Sequence, residues 1–246
     1  MAEDRNFDDF IHLATKIVAV TNNYADHVKE IGYSPTERGG QTTVFMKPIS
    51  AFITQGQSIL FPAGCTALNH EVELAVIIGR LACGVSEADA LQYVAGYTIA
   101  LDMTIKNQLI EEEENPKVDG APDGPDRNLD PMLFMSPGLP WDISKGFDTS
   151  CPVGPFIRRE RVADPNDQQL WLKVNGQVRQ FASTKDMLYS VPCLISCISR
   201  RVTLFPGDVI MTGTPGGVGK VVAGDIIEAG LGALAQIVFH VGNKTH

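Results

Sequence analysis

Short apolar runs separated by polar breaks organise the chain, and the spacing of the apolar positions changes from one segment to the next. "KIVAVTNNYADHVKEIGY", residues 16–33, predicts a short buried strand, a turn at Asn22 and Asn23, and a helix stopped at Gly32. "TTVFMKPISAFITQGQSILFP" breaks β-rich runs with Pro and Gly, and "HEVELAVIIGR" predicts a longer strand. "SEADALQYVAGYTIALDMT" predicts a helix capped by Ser86, with Glu87 and Asp89 in its first turn, and then a strand from Gly96 to Met103. In "LWLKVNGQVRQ" the Asn175-Gly176 pair marks a hairpin. "SVPCLISCISRRV" predicts a helix that leads through "FPGD" into "VIMTGTPGGVG", and the last strands turn at Gly224-Asp225 and at Gly230 to Gly232. Many short strands, few helices, no repeats and no strand–helix–strand rhythm predict a β-rich α+β fold.

One stretch interrupts this pattern. Residues 110–140, "IEEEENPKVDGAPDGPDRNLDPMLFMSPGLP", are rich in Pro, Gly and acid and read as a long surface excursion. The acids Glu111 to Glu114 cannot all face one cation, so a solvated run is expected there rather than a metal site.

Composition narrows the class. A chain of 246 residues with 44% hydrophobic and 20% charged residues is ordinary for one globular domain, here spanning 1–246. Its net charge of −9, with scattered Lys and Arg, leaves no footprint for nucleic acid or an anionic membrane surface. Five cysteines without zinc-type spacing read as reduced thiols. "MAEDRNFDDF" shows neither a signal core nor a basic transit pattern, and no long apolar run occurs, so a soluble cytoplasmic or mitochondrial protein is expected.

Candidate chemistry starts in "NHEVELAVIIGR". Residues i and i+2 of a strand share a face, so Glu71 and Glu73 point together while Val72, Leu74 and Val76 point away. Two like charges on one buried face repel unless a cation lies between them, and carboxylate oxygens suit Mg²⁺, Mn²⁺ or Ca²⁺. Asp102, ending the run "GYTIALD", is the candidate third ligand. A solvated strand face is the commoner meaning of an isolated pair of this kind. His27 and Glu30 lie at i and i+3 on one helix face, where the carboxylate can orient the imidazole, although such pairs are often superficial. Lys145 follows Trp141 and is a candidate point charge over a site. "TPGGVGK" is not a phosphate loop, because Thr214 stands where the first Gly belongs and Val221 follows Lys220. Cys193 and Cys197 read as small helix filler.

Together, "NYADHVKE", "VFMKPISA", "NHEVELAVIIGR", "GYTIALDMT", "LPWDISKGFDTSCPVGPFI", "LWLKVNGQVRQ" and "GDVIMTGTPGGVG" resemble, in order, successive blocks of the fumarylacetoacetate hydrolase family, from about Lys16 to Phe239. The resemblance implies a mixed β-roll or β-sandwich in a homodimer, with one divalent cation, Mg²⁺ or Mn²⁺, held by Glu71, Glu73 and Asp102. It implies His27 and Glu30 as the water-activating dyad, Lys145 as the lysine facing substrate, and Lys47, Lys106, Gln108 and Thr214 as substrate-binding positions. Where the family usually reads Ala-Arg-Asp after the aspartate block, this chain has Ile105-Lys106-Asn107, so a point-charge lysine replaces a forked arginine. The family's connection is also shorter there, which makes residues 111–138 an insertion whose two ends should flank the site.

The expected substrate is a small α-keto acid. Metal-dependent hydrolysis of a 3-acylpyruvate to pyruvate and a carboxylic acid is the favoured expectation, because the dyad suits water activation. Oxaloacetate decarboxylation or keto–enol tautomerisation is the alternative, and a non-catalytic keto-acid binder is third.

Overall fold

The computed structural model describes residues 6–32, 43–63, 65, 68–105 and 141–243. The chain opens with a one-turn helix, α1 (Phe10–Leu13), and then β1 (Ile17–Val20), four apolar residues buried on both faces. Asn22, at φ 57°, turns the chain into α2 (Ala25–Glu30), which ends before Gly32 at φ 81°. The Pro- and Gly-broken run becomes β2 (Val44–Lys47), β3 (Phe52–Ile53) and β4 (Ser58–Phe61). The apolar run around the paired glutamates becomes β5 (Leu68–His70) and β6 (Val72–Ile78).

Ser86 caps the next segment as expected, its side chain accepting from the Asp89 amide, but Glu87–Tyr93 forms a 3-10 helix rather than an α-helix. Its one buried side chain, Ala90, gives too narrow an apolar face to hold a regular amphipathic helix. The strand that follows, β7, spans Val94–Leu101, two residues earlier than the pattern indicates, and β8 (Thr104–Ile105) comes next. Beyond residue 140 come α3 (Trp141–Lys145), β9 (Cys151–Pro152) and β10 (Ile157–Arg158). The hairpin of β11 (Gln169–Val174) and β12 (Gln177–Ser183) turns on Asn175 and Gly176, both at positive φ. That geometry matches the twist of a two-residue hairpin. The chain ends with α4 (Val191–Ser199), β13 (Val209–Met211), β14 (Gly219–Val221), β15 (Ile226–Leu231) and β16 (Ala235–Asn243).

Two larger sheets carry the fold. One has the order β10-β7-β6-β13-β1-β2 and the other β12-β11-β15-β16-β4; small sheets β14-β5-β8 and β3-β9 complete it. The sheets are mixed: β1 runs parallel to β13, and β16 parallel to β4, while the other pairs of the larger sheets are antiparallel. On β6 the side chains alternate between two cores. Val72, Leu74, Val76 and Ile78 join the main core with Leu170, Leu172, Ile227 and Ile237 of the second sheet. Ala75 and Ile77 join a smaller core with Phe10, Ile17, Phe45 and Met211. Glu73 therefore belongs to the face of the smaller core, as the period-two reading requires. Cys83, Cys151, Cys193 and Cys197 are free thiols, and among the described residues no helix is long and apolar enough to cross a membrane.

Candidate active site

The antiparallel register of β6 and β7 builds the centre of the site. It pairs Val72 with Leu101 and Glu73 with Ala100, and the Asp102 amide donates to the Glu71 carbonyl at 2.8 Å. Glu71, Glu73 and Asp102 thus converge at one end of two strands, with ligand oxygens within 4.8 Å of one another. Glu73 is 1% exposed and accepts from the Gly213 amide at 2.7 Å. Gly213 has φ 96°, and a β-carbon there would lie 2.7 Å from Asn23, so glycine alone suits this approach. Glu71 also accepts from the Thr104 hydroxyl at 3.1 Å.

Two buried lysines answer these charges. Lys145, from α3, donates to Glu71 and to Asp102 at 2.8 Å each. Lys47, from the end of β2, lies 2.7 Å from the other oxygen of Asp102 and donates to the carbonyls of Lys145, Ser150 and Met103. Burial pushes Glu73 well above the usual carboxylate range, and the charges of Asp102 and Glu71 push it further. Burial also raises Glu71, against the pull of Lys145. Burial acts upward on Asp102 as well, but Lys145 and Lys47 overcome it and hold that carboxyl below its ordinary value. On Lys145 the two carboxylates outweigh burial and hold the ammonium in its charged form. Lys47 lies beneath Asp102 with its side chain fully buried, outside the cavity wall, and this is not where a residue that touches substrate would sit.

A cavity of about 370 Å³ opens over the triad. His27, Lys145 and Thr214 join the three acids on its wall, and Phe45 and Trp141 add an apolar side with ring centroids 5.5 Å apart. Ile105 and Trp141, the described residues on either side of 106–140, both line the cavity. Lys106, Gln108 and the insertion at 111–138 lie outside the described residues.

His27 Nδ1 is 3.8 Å from Glu30 Oε2, an ion-pair distance too long for a hydrogen bond. The sequence "TPGGVG" does bind an anion, but one from its own chain. The Gly217 amide donates to both Glu30 oxygens at 2.8 and 3.0 Å, and the Gly216 amide donates to Asp26 at 3.1 Å. Backbone N–H groups of a glycine turn thus hold the carboxylate beside His27.

Residues that pattern reading passed over also meet here. Asn69 lines the cavity two positions before Glu71, and carrying the same alternation one step back points to it. His70 is buried with Nδ1 3.1 Å from Gln180 Oε1, and burial holds its pKa down to about 4, so the ring is neutral. Gln180 lies in a strand remote in sequence, and nothing local in "QVRQ" marks it.

Three buried, converging carboxylates fit a hard divalent cation: every donor is oxygen, and among the described residues Glu73 has no counter-ion of its own. Comparison with known proteins agrees with this chemistry. The family model described as Fumarylacetoacetate (FAA) hydrolase C-terminal matches residues 16–242. The chain belongs to the fumarylacetoacetate hydrolase family. "Oxaloacetate tautomerase FAHD1, mitochondrial" of Rattus norvegicus is 40% identical over 241 residues, covering 98% of each chain. The Arabidopsis thaliana protein of that name is 41% identical over 230 residues, covering 94% of this chain and 92% of that one. Among solved structures of the family, a fumarylpyruvate hydrolase from Pseudomonas aeruginosa in complex with Mn²⁺ and pyruvate superposes with a TM-score of 0.77 at 29% identity, covering 94% and 91% of the two chains. A 2-hydroxyhepta-2,4-diene-1,7-dioate isomerase from Mycobacterium marinum gives 0.74 at 32%, covering 95% and 77%. The chain is an enzyme of this family, whose members here include both hydrolases and isomerases.

Proposed function

We propose that this enzyme interconverts the keto and enol forms of oxaloacetate. The observation that carries the reading is one cavity that presents a carboxylate triad, an ammonium and an imidazole, in a chain 40% identical over 98% of its length to a protein named as an oxaloacetate tautomerase. This moves tautomerisation ahead of acylpyruvate hydrolysis, the expectation that sequence favoured.

Glu71, Glu73 and Asp102 would hold Mg²⁺ or Mn²⁺, which when bound supplies a Lewis acid for an α-keto acid. Tautomerisation moves one proton between C3 and the C2 oxygen, with no net loss of atoms. His27, on the cavity wall, is the group to take that proton and return it. The Lys145 ammonium offers positive charge where the oxygen gains negative charge. Lys47 acts on Asp102 and not on substrate, since its ammonium is spent on that carboxylate and on backbone carbonyls. Phe45 and Trp141 limit water over the site.

A second reading, hydrolysis of a 3-acylpyruvate, is favoured by Glu30, fixed by the Gly217 amide beside His27 as a water-activating pair requires. One experiment ranks the two. Enol oxaloacetate is mixed with the purified protein and Mg²⁺, ketonisation is followed optically, and pyruvate from oxaloacetate or acetylpyruvate is measured in parallel. Equilibration faster than in buffer, lowered about 10²–10⁴-fold by His27→Ala, supports tautomerisation. A larger kcat/KM for acetylpyruvate cleavage reverses the order, and dominant pyruvate release from oxaloacetate makes the enzyme a decarboxylase.

A further inference from the structure

β12 is an exposed edge strand with one buried side chain, Gln180, which is 1% exposed. Its amide reaches into the wall of the active site. Oε1 accepts from the Val72 amide at 3.1 Å, and Nε2 donates to the Pro215 carbonyl at 2.9 Å. A backbone N–H can only donate and a carbonyl can only accept, so these partners fix the amide's orientation from both ends. The second Nε2 hydrogen goes to Thr214 Oγ1 at 2.8 Å. The single hydrogen of that hydroxyl goes to the Val72 carbonyl at 2.9 Å. The turn lies flush against β12, since a β-carbon on Gly217 would stand 2.1 Å from the Arg179 carbonyl.

The consequence is chemical. Thr214 lines the cavity with its own proton already committed and one lone pair left. It can accept there and cannot donate, so it suits an O–H group and not a carboxylate. We propose that Gln180 is a positioning residue that sets Thr214 as a hydrogen-bond acceptor, so that this part of the wall recognises the enol hydroxyl of the substrate. This rests on the tautomerase reading and assigns the recognition of one of its two tautomers.

His70 supplies a readout independent of activity. Its Nδ1 faces the same Gln180 oxygen, so it must carry the ring hydrogen, leaving bare Nε2, which has no partner among the described residues. Nitrogen NMR of the protein labelled at histidine should show His70 protonated at Nδ1, and the opposite tautomer overturns the assigned amide orientation. In kinetics, Gln180→Glu replaces both amide donors with an acceptor, so the Thr214 proton turns to residue 180, a lone pair is set against the Val72 carbonyl, and the hydroxyl is pushed from its place on the wall. The expected result is a fall of about ten- to a hundredfold in kcat for ketonisation, with KM and Mn²⁺ affinity within about threefold of wild type. Thr214→Val should lose as much, Thr214→Ser should retain activity, and the Gln180→Glu/Thr214→Val pair should be no worse than Thr214→Val. Additive losses, or an unaffected Thr214→Val enzyme, overturn the proposal. If Gln180→Glu does not fold, the wild-type tautomer and the contrast between the Thr214 variants decide it. A wild-type protein without ketonisation activity removes the proposed function and with it the enol assignment, while the His70 tautomer still tests the hydrogen-bond chain.

Discussion

Glu73 lies in a place that folding alone would not choose for a carboxylate. It is 1% exposed, receives one backbone hydrogen bond, and among the described residues faces Asp102 and Glu71 without a counter-ion of its own. Glu73→Gln keeps an acceptor for the Gly213 amide and removes the charge. The metal-free variant should be more stable than wild type by about 1–2 kcal/mol, roughly 2–8 °C in midpoint for a chain of this size. It should also lose the stabilisation that Mn²⁺ gives. Thermal unfolding with chelator and with Mn²⁺ measures both, and a destabilised variant would mean that the charge serves the fold. The pairing of Glu71 with Glu73 was legible from two-residue spacing, because strand geometry is local. The burial of Lys47 was not: the same lysine could face solvent or core, and its place depends on carbonyls at Met103, Lys145 and Ser150.

At the scale of elements, the link between α1 and β1 is tied to the turn before β13 through Asp208. One Asp208 oxygen accepts from the Thr15 amide and hydroxyl at 2.8 Å and from the Lys16 amide at 3.1 Å; the other accepts from the Phe205 amide at 2.8 Å and pairs with the Lys16 ammonium. Burial acts to raise this carboxyl, but these donors, led by Lys16, hold it below its ordinary value. A lowered folded-state pKa gives stability that is present above the ordinary aspartate value and lost as pH falls through the folded value. Asp208→Asn should therefore cost about 1–3 kcal/mol at pH 7, with the gap to wild type closing in acid. Urea unfolding at both pH values checks this, and a gap that persists in acid would show that charge is not the cause. The Asn175-Gly176 hairpin was legible because its turn chemistry lies within two residues. The pairing of β1 with β13 was not, because it joins residues nearly two hundred positions apart.

For the whole molecule, a cation that binds the folded triad must stabilise the entire fold, because the carboxylates lie on or beside the ends of adjacent strands of the six-stranded sheet. At about a hundred times its dissociation constant the gain is about 2.7 kcal/mol, or roughly 5–10 °C. Equal midpoints with chelator and with Mg²⁺ or Mn²⁺ would remove the metal from this site. The strand order also says how the chain could be divided. β1 to β8 precede residue 106 and β9 to β16 follow residue 140, and each of the four described sheets takes strands from both sides. The first part carries His27 and all three acids, and the second carries Lys145, Gln180, Gly213 and Thr214. A break between those limits would leave two fragments, neither able to complete a sheet, and would part the acids and Lys47 from Lys145, the lysine that pairs with both Glu71 and Asp102. Made separately they should be unfolded and without metal; mixed, they should reassemble into an enzyme with no covalent link between its halves.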